Sequence, residues 1–302
     1  MEVTVTPRPW RVFPVEVARV DRLGPTFARV TFHGGALESF ADNGFDQRIK
    51  LILPDGGAPL PALDGDWYQT WRALPDDARP VLRTYTVRAV RPGEVDVDFA
   101  LHGDAGPATR WALSTGPGDR VALLGPDSGY AGVHGGIEFQ PPTPLPRLLL
   151  IGDETAVPAI ASILARLPGH ARGQALLEVP DVDDATTLAA PPGIVVTWLA
   201  RGDRPVGARL VPAVAVATAD YGRTLPVDGP LVPNLEDVDV DRDILWEVPR
   251  QPAAPDDVYA WLAGEAAVIR MLRRHLVCVC RLDRRSVAFM GYWRLGRPEP
   301  TG

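Results

Sequence analysis

At 302 residues the chain is too long for one domain of ordinary size and suggests two, of roughly 150 residues each. With 46% hydrophobic and 23% charged residues each half can bury a core, and a net charge of −7 with a pI near 5.3 argues against nucleic acid as a main partner, because phosphate binding needs a basic face. No segment is apolar enough over enough residues to serve as a signal peptide or to span a bilayer, so the expectation is a cytoplasmic protein with no membrane insertion.

The first half reads as antiparallel β structure. RVFPVEVARVDRLGPTFARVTFHG holds two strand-like runs around the turn signal Gly24-Pro25, and QRIKLILP is a short strand stopped by Pro54. Residues 55–80, rich in Pro, Gly and Asp, read as a loop. RTYTVRAV and EVDVDFALHG flank the tight turn Arg91-Pro92-Gly93 and form a hairpin, and DRVALLGP adds a strand. Closely spaced strands with almost no helical periodicity predict a six-stranded antiparallel β-barrel over residues 1–131.

A segment dense in Gly and Pro, 132–147, reads as a linker. From 148 to 302 the pattern changes to strands alternating with helices. RLLLIGD, QALLEV, GIVVTWLA and VYAWLAGE read as buried parallel strands, and TAVPAIASILARL as a helix with Thr155 as N-cap and Pro158 in its first turn. EAAVIRMLRRHL is an amphipathic helix. The expectation is an open α/β domain of nucleotide-binding type, with residues 221–257 an excursion of no clear period. An antiparallel barrel followed by such a domain is the layout of flavin reductases that take electrons from a nicotinamide.

Three stretches carry chemistry. RTYT supplies a cation, an aromatic ring and a hydroxyl within four positions of one strand. Those are the groups a flavin dinucleotide needs for its diphosphate, its ring or ribitol, and N5, with Thr86 nearest N5. In LHGDAGPATRWA, Gly103, Gly106 and Pro107 form a loop whose backbone N–H groups can cradle a diphosphate at a helix starting near Ala108. Thr109 offers a hydroxyl and Trp111 a surface for adenine. LLLIGDETAVPAI and YAWLAGE each place a glycine at the carboxyl end of a buried strand before a helix, where open α/β sheets bind ligands. Asp153 and Glu154 would repel phosphate, so the sugar or nicotinamide is expected there, and Arg201 after TWLA is placed to meet a 2′-phosphate. Two cysteines one residue apart, Cys278 and Cys280, provide neither a disulfide nor a metal knuckle, so redox chemistry must come from an organic cofactor.

Lys50 is the one lysine among 31 basic residues. With Arg48 it projects from one side of a strand whose other side, Ile49, Leu51 and Leu53, faces the core. The pair is expected to contact an anionic substrate, with Arg294 near the terminal GYWRLGR as a further contact.

In RTYT, DFALHGDAGPATRWA, PGD, GDETAVPAI, YAWLAGE, IRMLRRHL and GYWRLG the chain resembles, over nearly its whole length, the siderophore-interacting proteins. These are FAD-dependent ferric-siderophore reductases of the ferredoxin-reductase superfamily. The resemblance implies that Arg83, Thr84, Tyr85 and Thr86 contact FAD. It places Leu101, His102, Gly106, Pro107, Ala108, Thr109 and Trp111 around the FAD diphosphate and adenosine. Gly152, Asp153, Glu154, Thr155, Ala156, Gly264 and Glu265 then line the nicotinamide side. It further implies a ferric siderophore as substrate, with NADPH, NADH or a ferredoxin as electron donor. A general NAD(P)H–flavin reductase and a non-enzymatic siderophore-binding protein are the rival readings.

Overall fold

The computed structural model describes residues 8–54, 60, 67–75, 78–101, 106–221, 246–249 and 258–296. The chain divides into two units, one running to Ile137 and the other beginning at Glu138, a boundary inside the segment expected to link two domains.

In the first unit six strands close into a barrel. They are β1 (Trp10–Arg22), β2 (Phe27–His33), β3 (Arg48–Leu53), β4 (Val81–Arg91), β5 (Glu94–Ala100) and β6 (Arg120–Pro126), ordered β1-β2-β5-β4-β3-β6. Every pairing is antiparallel. Alternation fills the interior with Phe13, Val15, Phe32, Ile49, Leu51, Val97, Phe99 and Leu123. The β4–β5 hairpin turns on Pro92-Gly93, where Gly93 takes a φ of 69°, a left-handed value that a glycine adopts freely.

The segment expected to be a loop contains a helix, α1 (Trp67–Ala73). Its Trp71 is fully buried with Ile52, Leu82, Ala122 and Leu124 on the outer face of the barrel, and its indole N–H donates to the carbonyl of Pro80. The flanking Pro and Gly residues masked a short aromatic helix whose burial, not its helix propensity, stabilises it. A second helix, α2 (Pro107–Ser114), follows β5, its proline at the first position where a missing N–H costs little.

The second unit is a sheet of β7 (Arg147–Gly152), β8 (Arg172–Val179), β9 (Gly193–Ala200), β10 (Trp246–Glu247), β11 (Val258–Glu265) and β12 (Val287–Trp293), ordered β10-β12-β11-β7-β8-β9. All are parallel except β10. α3 (Val157–Arg166), α4 (Leu210–Ala217) and α5 (Ala266–Arg274) connect them. β11 is buried along its whole length, but β9 is an edge strand and mostly half-exposed, so GIVVTWLA is not the buried strand expected. α3 starts after Ala156, not at Thr155, because the Thr155 N–H and hydroxyl both donate to Asp153. A π-turn, His275–Val279, extends α5, and Cys280 beyond it is buried with Sγ 3.3 Å from His275 Nε2, while Cys278 is exposed. Within the 221–257 excursion the structure describes Tyr221, β10 and its two following residues; the rest lies outside the described residues.

Candidate functional site

β4 changes partner along its length. Residues Val81 to Thr86 pair with β3, from Leu53 to Arg48, whereas pairing with β5 runs from Arg91 to Val87, with a bulge between Val87 and Ala89. The RTYT stretch therefore sits where β4 leaves β5. Tyr85 packs against the barrel core with its ring centroid 4.4 Å from that of Phe99. Arg83, on the same face by alternation, is half-buried and donates to the carbonyl of Leu82. Thr84 and Thr86 lie on the opposite face, directly across from Lys50 and Arg48. Lys50 Nζ donates to Thr84 Oγ1 at 2.8 Å. That contact joins the lone lysine to the RTYT strand. The face they share is no plain solvent face, because Ile52 on it is buried under Trp71.

Beyond β5, Leu101 is tied to Thr26 by a backbone bond. His102 and Gly103 lie outside the described residues. Gly106 is the N-cap of α2 in extended conformation, with no side chain capping the helix and open space where a Cβ would stand. The N–H groups of Ala108 and Thr109 open the helix, since the helical ladder begins with Arg110 N donating to Gly106. This suits an anionic group such as a diphosphate. Trp111, expected to offer a surface to adenine, is half-buried against the barrel core, stacked on Phe32 at 6.1 Å and 14° and 5.7 Å from Phe99. A cation, an aromatic ring seated on the core and an uncapped helix start belong to one unit, and these donors fit a flavin dinucleotide.

In the second unit the chain leaves β7 for β8 on one side, and β11 lies on the other, so the topological switch point falls between β7 and β11. The two predicted strand ends meet there. Asp153 Oδ2 accepts from Glu265 N at 2.7 Å and from Trp293 Nε1 at 2.8 Å, and Oδ1 accepts from Thr155 N and Oγ1. Gly264 has a φ of 148°, and a Cβ on it would stand 2.6 Å from Asp153 Oδ2. A Cβ on Gly152 would meet that of Ala156 at 2.4 Å, so glycine is what lets β7 pass closely into α3. Burial and the neighbouring charge of Glu154 push Asp153 up to about 7, against the hydrogen bonds from Thr155, Trp293 and Glu265, which favour the ionised form.

Arg201 does not stand ready for a phosphate. It is buried, and both terminal nitrogens are taken by Glu154, at 2.6 and 2.5 Å, with Glu178 at 3.9 Å. Burial opposes its charge, but the hydrogen bonds and charge of Glu154, with Glu178, outweigh it and raise the guanidinium above its ordinary value. The expected 2′-phosphate role of Arg201 is thereby revised: its cation is spent on two fully buried carboxylates. For the same reason Glu154 is a neutralised acid and not a free repeller of phosphate. Arg204, three residues on, is exposed. Glu178 was missed in the sequence, although it too ends a buried strand. It accepts from the N–H groups of Gly207, Arg209 and Leu210 and so holds the start of α4. Trp293 was quoted only within GYWRLG. Its indole contact with Asp153 spans 140 positions and has no local signature. Arg294 follows it, half-buried.

A barrel with an anion-suited helix start, followed by a mostly parallel sheet whose strand order switches between β7 and β11, defines a flavin- and nucleotide-binding class. Within it, the siderophore-interacting FAD-binding domain matches residues 16–130 and the siderophore-interacting protein domain matches residues 145–296, so the chain belongs to the siderophore-interacting protein family. It is 29% identical over 296 residues to the ferric vibriobactin reductase ViuB of Vibrio cholerae, covering 96% of this chain and 92% of that protein. It is 31% identical over 224 residues to the NADPH-dependent ferric-chelate reductase of Escherichia coli, covering 72% and 83% of the two chains. The crystal structure of the siderophore-interacting protein SipS from Aeromonas hydrophila superposes with a TM-score of 0.66 at 30% identity, over 95% of this chain and 93% of that one.

Proposed function

We propose that this chain is an NAD(P)H-dependent flavoprotein that reduces ferric siderophores, with the iron complex as substrate and FAD as the resident cofactor. The observation that carries the reading is the partner change on β4, which sets Arg-x-Tyr-Thr at the point where β4 leaves β5, in the same unit as the uncapped start of α2. Arg83 would neutralise the diphosphate, with the Ala108 and Thr109 N–H groups donating to it, and Tyr85 would offer a ring held by Phe99. Thr86, buried on the strand, would place a hydroxyl near the site of hydride arrival. The residues around Gly152 and Gly264 would receive the nicotinamide. Bound FAD supplies the conversion of one two-electron hydride into two one-electron transfers, one to each of two ferric complexes. The protein's share is to bind and orient, and no acid–base pair is required of it. Ferrous iron, softer and less charged, is then held less tightly by hard oxygen ligands.

Lys50 and Arg48, adjacent to the RTYT threonines, are the proposed contacts for an anionic chelate. No helix among the described residues is long and apolar enough to cross a membrane, and the cytoplasm is the proposed place of reaction.

Purified protein should absorb near about 450 nm, as oxidised flavins do. Anaerobic NADPH or NADH should bleach it, and a ferric siderophore should restore the colour. Arg83→Ala should purify largely without flavin, since a charge-assisted contact of about 1.5–3 kcal/mol is lost. Full flavin occupancy in that variant would remove Arg83 from the site. Reduction by neither nucleotide would point to a ferredoxin as donor.

A further inference from the structure

Asp153, Glu265, Trp293 at the end of β12 and Leu295 just beyond it form one hydrogen-bonded knot at the carboxyl edge of the sheet. One oxygen of Asp153 receives the Trp293 indole and the Glu265 backbone N–H. The Glu265 side chain receives Val268 N at the start of α5 with one oxygen and Leu295 N, at 3.3 Å, with the other. Arg294 lies between the two anchored residues. The glycine at 264 keeps open the volume that the Asp153 carboxylate occupies. Two acids thus hold Trp293 and Leu295.

We propose that Asp153 is a positioning residue, a latch whose carboxylate ties the Trp293–Leu295 segment to the switch-point crevice and loosens when it takes up a proton. The inference rests on the reading of that crevice as the nicotinamide site. The donors around Asp153 are not equivalent. The indole and the backbone N–H groups can only donate, whereas the Thr155 hydroxyl, 2.5 Å from Oδ1, can reverse and accept. A proton therefore settles on Oδ1, towards Thr155. Oδ2 keeps its two donors but loses its charge, and charge-assisted bonds are roughly twice as strong as neutral ones. The ionisable groups facing Asp153 are Glu154 on its own turn, which disfavours its charge, Glu265 from the end of β11, and Arg201 from beyond β9, which is held by Glu154. Burial and Glu154 bring the midpoint into the neutral range, so the latch responds where cells operate.

The test follows the indole N–H resonance of Trp293 in ¹⁵N-labelled protein between about pH 5.5 and 8.5, assigned by its disappearance in Trp293→Phe. The resonance should titrate with a midpoint near about 7 and cease to titrate in Asp153→Asn. In parallel, anaerobic flavin reduction is measured with NADPH and with NADH, and only a pH limb common to both belongs to the protein. The kcat/KM for reduction should rise on the order of fivefold from pH 6 to 8 in the native protein and stay flat in Asp153→Asn. Should Asp153→Asn fail to fold, Trp293→Phe carries the same test, since the loss of one donor should move the kinetic midpoint upward. An indole that does not titrate overturns the latch. An indole that titrates beside pH-independent reduction keeps the latch and removes the nicotinamide from this crevice.

Discussion

Asp96 on β5 of the barrel and Asp153 at the end of β7 are both buried, 3% and 2% exposed, and both accept several hydrogen bonds. Their ionisation nevertheless moves in opposite directions. Burial works against the charge of Asp96, but two hydrogen bonds from Arg91 and one from Thr31, with the charge of Arg29 nearby, hold its carboxyl below the ordinary value. Asp153 receives four bonds from uncharged donors and has Glu154 as its neighbour, and it rises to about 7. The number of hydrogen bonds does not decide protonation at a buried site. The charge of the donors does, because neutral dipoles replace only part of the hydration that an anion loses. The placement suits each unit. The barrel face uses Arg19, Arg29, Arg88 and Arg91 with Glu94, Asp96 and Asp98 as a charged lattice, whereas the crevice keeps an acid poised near neutrality.

The harshest way to break this contrast is to remove the cation that serves the crevice indirectly. Arg201→Met would leave Glu154 and Glu178 buried without their shared partner, and should cost about 3–5 kcal/mol in urea unfolding, with little dependence on salt. It should also drive the Asp153 midpoint further up, visible in the Trp293 indole titration. An unchanged nucleotide preference in any folded fraction agrees with the structure; a selective loss of NADPH use would restore the phosphate role to Arg201.

A smaller effect is expected in the barrel. Arg91→Leu removes the charged donor from Asp96, and because Arg91 is partly solvated the loss should be about 1–2 kcal/mol, shrinking further in high salt. Acid unfolding should then begin at higher pH.

The two acids also predict opposite slopes of stability with pH. Asp96 is bound less tightly by its proton in the folded protein, so its contribution is present above the unfolded aspartate value and is lost as the pH falls through the lowered folded one. Asp153 holds its proton more tightly when folded, so its contribution is full below the ordinary 3.8 and is lost as the pH rises to about 7. Asp153→Asn should flatten the decline over that window, and Arg91→Leu should not. The smallest effect tests a charged donor on a neutral acceptor. Lys50→Met removes a bond to Thr84 of about 0.5–1.5 kcal/mol at most, so stability and flavin content should barely change. Titration with a ferric tris-catecholate should show weaker, less salt-sensitive binding; equal affinity would take Lys50 out of the proposed substrate site.

Much of the fold was legible because it rests on local rules. Period-two alternation in QRIKLIL, the Pro92-Gly93 turn and the proline opening α2 depend on neighbours in the chain, and so do the glycines near the ends of β7 and β11. α1 was not legible, because Trp71 is stabilised by Ile52, Leu82, Ala122 and Leu124, drawn from three strands. The edge position of β9 was equally hidden. Its apolar composition is that of a buried strand, and only the sheet order exposes it.

For the site, residue types and strand ends could be read from the sequence, since chemistry and topology both place ligands at the carboxyl ends of parallel strands. What each charge is for could not. Arg201 reads as a free cation until Glu154, 47 positions away, takes it, and Asp153 reads as an ordinary acid until Glu265 and Trp293, 112 and 140 positions away, close over it. A charge has no fixed meaning along a chain, because its energy depends on the donors, opposing charges and water that folding leaves around it. Local sequence decides which groups reach the crevice, and the tertiary structure alone decides which of them are neutralised, which are poised and which remain to meet a ligand.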